Sequence, residues 1–313
     1  MLLSVCLNPA VDVTYRLDSS VVPGKSHRVK EVREQAGGKG INVARVLQQL
    51  DVPVMILAPV GGATGARIRS ELTLASLPAR LVEIAEPTRR TLAVVDPDDA
   101  TVFNEPGPML GPVEWKSLLE EYQSLLNDAT LVVLSGSLPP GIPPEGYRIL
   151  AELAGARGRP SIVDAEGAPL RLALDAKPYL VKPNLAELET IVGGRLSSTS
   201  EILAAGLEVR RLGARNVVIS CGADGLVAVT EEGNWRAVSP EVVRGNPTGA
   251  GDALVAALAA GTGRDQPWPG KLRDGVSVSA AAVASPVAGR VEATAWARLL
   301  RGVVIEELKE SRH

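Results

Sequence analysis

Residues 245–261 read GNPTGAGDALVAALAAG, where a glycine pair, Gly249 and Gly251, opens an alanine-rich helical run with Asp252 in its first turn. The free N–H groups and dipole of such a terminus attract an anion, and the glycines let a phosphate approach the backbone closely. Negative charge growing on a transferring phosphoryl group is stabilised there. A carboxylate beside it can take the proton of an attacking hydroxyl. Plain dipole complementation also places Asp in first turns, and local physics alone leaves both readings open. A second glycine turn, AGGKGINVARVLQQL at residues 36–50, sets Lys39 among exposed amides and Asn42 one turn into a helix. It is not a Walker loop, because Gly40 follows Lys39 where Ser or Thr is needed. Val43 stands at the third glycine of a dinucleotide fingerprint, and no buried strand precedes the turn. A turn demanded by packing gives the same pattern.

Further polar clusters end strand-like runs: Ser135-Gly136-Ser137 after LVVL, Lys182-Pro183-Asn184 after YLV, and Ser220-Cys221-Gly222 after VVI. In open α/β sheets ligands bind outside the carboxyl ends of strands, so three such ends can converge on one crevice. Asn184 and Glu187 share a helix face, and their oxygens suit hydrated Mg²⁺; an N-cap with its capping-box partner has the same spacing. Arg89 or Arg90 offers a fork for phosphate, or a solvated pair. His27 is the sole internal histidine, which argues against His catalysis and His-rich metal sites.

The elements that must position these groups alternate. Apolar β-branched runs predict strands at 2–7, 54–60, 131–134, 162–164, 179–182 and 217–220, with helices at 41–50, 113–127, 145–154 and 201–212. That order implies an α/β fold with a mostly parallel sheet flanked by helices. Residues 12–34 and 91–103 instead show the alternation of half-buried antiparallel strands. They predict a small sheet beside the main domain, built from insertions at about 12–34 and 88–104 and serving as a lid or dimer surface. Residues 262–270 read as a loop between helices.

At 313 residues, 45% hydrophobic and 22% charged, the chain is long enough for one large domain. A net charge of −3 gives no field for nucleic acid or an anionic membrane. One Phe, four Trp and four Tyr are too few for a base-stacking platform. Cys6 and Cys221, the only cysteines, read as buried thiols of a reducing compartment. No signal peptide or apolar run of about 20 residues is seen, and cytoplasm is the expectation.

GGKGINVA (37–44) together with NPTGAGD (246–252) resembles the two signatures of the ribokinase-like PfkB carbohydrate kinases, in the branch holding 1-phosphofructokinase and tagatose-6-phosphate kinase. LNPAVDVTY, PGKSHRV, TRRT, FNEPGP, LSGSLPPG, VKPNLAELE and SCGADG follow the family order along the chain. The resemblance implies one kinase domain over residues 1–313, a ribokinase-like fold with a β-sheet lid, and a homodimer through that lid. It implies ATP and Mg²⁺ as cofactors and a sugar phosphate as the small-molecule partner, with no nucleic acid or membrane. By it, Asp12, Gly38, Lys39, Asn42 and Arg89 hold the sugar phosphate, with Ser137 nearby. Asn184 and Glu187 organise Mg²⁺ through water, and Lys182, Ser220, Gly222 and Gly225 belong to the nucleotide side. The amides of Gly249, Ala250 and Gly251 form the anion hole, and Asp252 is the base. Pro247-Thr248, Arg90-Thr91 and SPVAGR (285–290) depart from the branch's usual residues.

The expected reaction is phosphoryl transfer from ATP to fructose 1-phosphate, fructose 6-phosphate or tagatose 6-phosphate. Lys39 and Arg89 favour a phosphorylated acceptor, since a free sugar leaves two cations without an obvious partner. The alternatives are a kinase of an unphosphorylated sugar and a non-catalytic sugar-phosphate-binding regulator. A nicotinamide dehydrogenase is disfavoured by the missing glycine fingerprint.

Overall fold

The computed structural model describes residues 1–98 and 100–309; Asp99, inside the second expected lid segment, and residues 310–313 lie outside the described residues. The first third of the chain forms β1 (Leu2–Val5), β2 (Ala10–Arg16), β3 (Glu31–Gly37), α1 (Lys39–Gln49), β4 (Val54–Val60), α2 (Gly62–Leu74), β5 (Ala79–Glu83), β6 (Arg89–Val95) and β7 (Ala100–Asn104). Next come α3 (Pro112–Leu125), β8 (Leu131–Ser135), α4 (Gly146–Gly155), β9 (Ser161–Asp164), α5 (Gly167–Ala173), β10 (Leu180–Val181), α6 (Leu185–Val192) and α7 (Thr199–Arg211). The last third holds β11 (Asn216–Ser220), β12 (Leu226–Val229), β13 (Asn234–Val238), α8 (Ala250–Gly263), α9 (Trp268–Val283), α10 (Ala293–Leu300) and β14 (Val304–Glu307).

Strands buried at every residue, as β1, β8 and β9 are, need helices on both faces. They receive them. Successive side chains of a strand point to opposite faces, and β1 divides accordingly. Leu2 packs into a core with residues of α1, α2, α8, α9 and α10. Leu3 and Val5 pack into a second core with α3 to α7. Each fully buried Leu or Val contributes about 1.5–3 kcal/mol relative to exposure.

The main sheet has the order β14-β13-β12-β11-β10-β9-β8-β1-β4-β5. From β5 to β11 neighbours run parallel, and β11 to β14 pair antiparallel. The mostly parallel α/β expectation therefore holds. Chain order reverses at β1, which lies between β4 and β8. That reversal opens a crevice at the carboxyl ends of the strands.

A separate sheet of order β3-β2-β6-β7 forms the lid. It corrects the expectation of antiparallel strands in one respect. β2 and β6 pair parallel, Ala10 with Arg89 through Arg16 with Val95, while the outer pairs are antiparallel. Period-2 alternation does not encode strand direction, so the residues could not reveal this. Nor is every lid strand half-buried, since β7 is exposed throughout. The expected loop at 262–270 shortens as well, because α8 runs to Gly263 and α9 starts at Trp268, after a Pro267 that suits a helix start. Cys6 is buried, but Cys221 is only half-buried, just beyond β11.

Candidate active site

The carboxyl ends of β1, β8, β9 and β10 lie side by side and deliver Asn8, Ser137, Asp164 and Lys182 to one crevice. Two helix N-termini meet them. Lid strand β3 ends at Gly37, and Gly38, at φ 102°, turns the chain into α1. A Cβ at Gly38 would stand 2.8 Å from the sulfur of Cys6, so both backbone angle and space require glycine. The second terminus is Gly249, left-handed at φ 84°, which starts α8.

Lys39 is the first residue of α1, and its Nζ lies 3.7 Å from Asp164 Oδ2. One turn on, Asn42 Nδ2 donates to Asp252 Oδ2 at 2.8 Å. Asp252 sits in the first turn of a helix otherwise buried with Ala, Leu and Val, and is itself buried. Burial raises its pKa to about 6, and the charge of Asp164 adds to the rise. The Asn42 hydrogen bond, Lys39 and Lys182 offset part of it. An Asp with ordinary exposure would be a weaker base, so the environment does more here than cap a dipole.

Asp164 is the buried counter-charge of the site. Its Oδ1 lies 3.2 Å from Lys182 Nζ, and Oδ2 accepts from Ser135 Oγ at 3.0 Å. Burial works to raise its pKa, yet Lys182 and Lys39 outweigh that and hold it below the usual carboxylate range. Burial likewise works to lower the pKa of Lys39, but Asp164, Asp252 and Glu187 hold it above the ordinary value. Sequence reasoning missed Asp164 as a site residue. The signal was a carboxylate closing the apolar strand SIVD. Asn8 was missed too; its Nδ2 donates to Ser137 Oγ at 3.0 Å.

On the lid side, Asp12 faces the crevice from β2 beside Thr91 of β6. Burial raises its pKa to about 6, against the pull of Arg89 and a hydrogen bond from Thr91. Arg89 donates through Nε and one terminal nitrogen to Asn8 O at 3.4 and 3.3 Å, and through the other to Thr91 Oγ1 at 3.3 Å. The premise that a free sugar leaves Lys39 and Arg89 without partners is thereby corrected, because both already face protein acceptors. A Cβ at Gly37 would fall inside the Asp12 carboxylate. On the kinase expectation drawn from the sequence, Gly37→Ala is expected to displace Asp12 and raise the acceptor KM about tenfold or more, with the ATP KM unchanged. Steady-state kinetics on both substrates checks it.

These groups line one cavity of about 1210 Å³, together with Gly38, Asn184, Glu187, Ser220, Gly249 and Gly251. A second cavity of about 620 Å³ adjoins it through Asn184, Ser220 and Gly251. It contains Gly222, Gly225 and Ala250 and is walled by Leu226, Val242, Val243, Val276 and Val283. Gly225 is also required by space, since its Cβ would enter the Ala237 backbone. Of the three amides expected in the anion hole, that of Ala250 is turned to Pro247 O at 3.1 Å.

Asn184 and Glu187 form the reciprocal capping box of α6, each side chain accepting from the other's N–H at 2.8 Å. Among the described residues no group of three or more His, Cys, Asp or Glu could hold a metal ion. Two oxygen-bearing side chains on a cavity wall fit a cation that keeps most of its waters and takes phosphate oxygens.

Residues 2–294 match the pfkB family carbohydrate kinase. The chain belongs to that family. Among solved structures it is similar to phosphofructokinase-2 from Escherichia coli in complex with potassium, at 28% identity over 96% of this chain and 98% of that one, TM-score 0.89. It is similar to the same enzyme in complex with fructose-6-phosphate at 29% identity, with the same coverages and TM-score 0.88. A Thermotoga maritima protein named possible 1-phosphofructokinase matches at 25% identity over 99% of this chain and 100% of that one, TM-score 0.90. As a pfkB family carbohydrate kinase of ribokinase-like fold, the chain is a phosphotransferase. No helix among the described residues is long and apolar enough to cross a membrane.

Proposed function

We propose that this kinase transfers the γ-phosphoryl group of ATP to a hydroxyl of a ketohexose monophosphate, with Asp252 as the general base. The observation that carries the reading is Asp252 itself: buried, raised to about 6, held by Asn42, and first-turn neighbour of the Gly249–Gly251 amides. The likeness to a phosphofructokinase-2 in complex with fructose-6-phosphate supports a phosphorylated acceptor. Fructose 1-phosphate, fructose 6-phosphate and tagatose 6-phosphate are the candidates.

In this reading the acceptor lies between Asp12 and Arg89 of the lid and Lys39, Asn42 and Ser137 of the main domain. The apolar second cavity takes the nucleotide base, with Ser220, Gly222 and Gly225 on the nucleotide turn and Lys182 on the phosphate side. Closure of the lid excludes water and aligns the hydroxyl. Asp252 accepts its proton while Lys39 and the α8 terminus offset the growing charge. Asn184 and Glu187 would hold Mg²⁺ through water, and the ion would neutralise phosphate charge. Exposed Val32, Val102 and Phe103 of the lid support a homodimer through that sheet.

The test is ADP formation with Mg²⁺ across a panel of hexoses and hexose phosphates, with Asp252→Asn beside the wild type. Turnover on one ketohexose phosphate, lost in the variant, supports the reading and names the acceptor. Turnover confined to free sugars overturns the acceptor class.

The pH dependence follows from the same group. A base must be ionised to act, so kcat/KM for the acceptor, which reports the unliganded protein, is expected to fall as pH drops through about 6. The charges facing Asp252 are Asp164, Lys39 and Lys182. Asp12 titrates in the same range, so its protonation is expected to steepen the same limb. A kcat/KM flat from about pH 5 to 8 contradicts the assignment.

A further inference from the structure

β3 is an edge strand of the lid and leads directly into the Gly37-Gly38 turn and α1. An edge strand presents unpaired N–H and C=O groups on its outer side. At Ala36 both are taken by side chains of the main domain. Its N–H donates to Glu71 Oε2 of α2 at 2.6 Å, and its carbonyl accepts from the Arg45 guanidinium of α1 at 3.0 Å. Arg45 and Glu71 also pair with each other. Their side chains are only 17% and 25% exposed, so solvent screens the pair less than a surface one. Glu34 of β3 is joined to Arg67 of α2 at 3.1 Å, a second link between the same elements.

Ala36 lies one residue before Gly37, which has no room between its backbone and the Asp12 carboxylate. Gln35 is the register partner of Asp12. Whatever fixes residues 35–37 therefore fixes Asp12. We propose that the Arg45–Glu71 pair is the anchor of the lid, a positioning pair that holds β3, and with it Asp12, over the acceptor site without touching substrate. The anchoring stands on geometry alone; its kinetic consequence rests on the kinase reading above. A lid that lets go more often admits water to the site and separates ATP hydrolysis from transfer.

Amide hydrogen exchange on the whole chain, read beside kinetics, tests this in Glu71→Ala and Glu71→Gln. Glutamine keeps an oxygen for the Ala36 N–H but no charge for Arg45. Expected in Glu71→Ala is exchange at residues 31–37 faster by about tenfold or more, with β1 and β8 unchanged. The acceptor KM rises severalfold, the ATP KM holds, and more ADP than sugar product is formed. Glu71→Gln falls between the two. Unchanged exchange at 31–37, or an equal rise across β1 and β8, overturns the anchor. Should Glu71→Ala fail to fold, Glu71→Gln is read against wild type by the same two outcomes. A wild type that turns over no acceptor sinks the kinase reading, while exchange still decides the anchor.

Discussion

Asp252→Asn is expected to lose about 10² or more in kcat while the folded protein becomes more stable at pH 8. The loss follows from removing the one carboxylate in the first turn of α8 among the described residues, with the acceptor KM changed little. The gain follows from linkage. The folded pKa of about 6 stands above the ordinary 3.8. Between those values the folded state keeps a proton that the unfolded chain has released, so stability falls as pH rises from about 4 to 6 and stays reduced above. The full shift corresponds to about 3 kcal/mol. Asparagine keeps an oxygen for Asn42 Nδ2 and carries no charge. A Tm several degrees higher at pH 8, converging with wild type near pH 4, is the expected melting result. Near-normal kcat, or a Tm gain independent of pH, contradicts the assignment.

Asp164→Ala is expected to cost about 3–5 kcal/mol of stability, because it leaves the Lys182 ammonium buried without its counter-charge. Ser135 loses its acceptor in the same step. The second consequence is electrostatic. Asp164 raises the Asp252 pKa, whereas Lys39 and Lys182 lower it. Without Asp164 the two cations act unopposed, so the acid limb of kcat/KM moves to lower pH. Chemical denaturation measures the first effect and a pH–rate profile the second. Asp164→Asn, closer in shape, keeps the oxygen for Ser135 and is expected to shift the limb with a smaller stability loss. An unmoved limb in both variants means Asp164 does not set the base.

The sheet and its flanking helices were legible because runs such as LVVL and VVI are buried on both faces and therefore wholly apolar. The glycines were legible because Gly38 and Gly249 hold angles that other residues avoid. Asp164 was not, because its meaning depends on Lys182, just past the end of the next strand over, and that adjacency exists only once β9 and β10 pair. Asn8 hid for the same reason, its partner Ser137 lying beyond β8. The strands β12 to β14, at the antiparallel end of the main sheet, went unread for different causes. LVAV is too short to show a period, and VIEE at β14 is mostly exposed, so burial left no imprint on it.

The parallel pairing of β2 with β6 has a consequence for how the molecule comes into being. Strands running the same way cannot be joined by a tight turn. The chain between them makes lid strand β3 and then α1, β4, α2 and β5, which belong to the main sheet and its helices. Ala10 meets Arg89 only after those elements have brought it there. A chain ending before Arg89 can offer β2 and β3 as a lone hairpin, which is marginal in water. The lid is thus no transferable module. Grafted onto another protein without the chain beyond β3, the β2–β3 pair is expected to find no third strand, and contacts of such sequence separation form slowly.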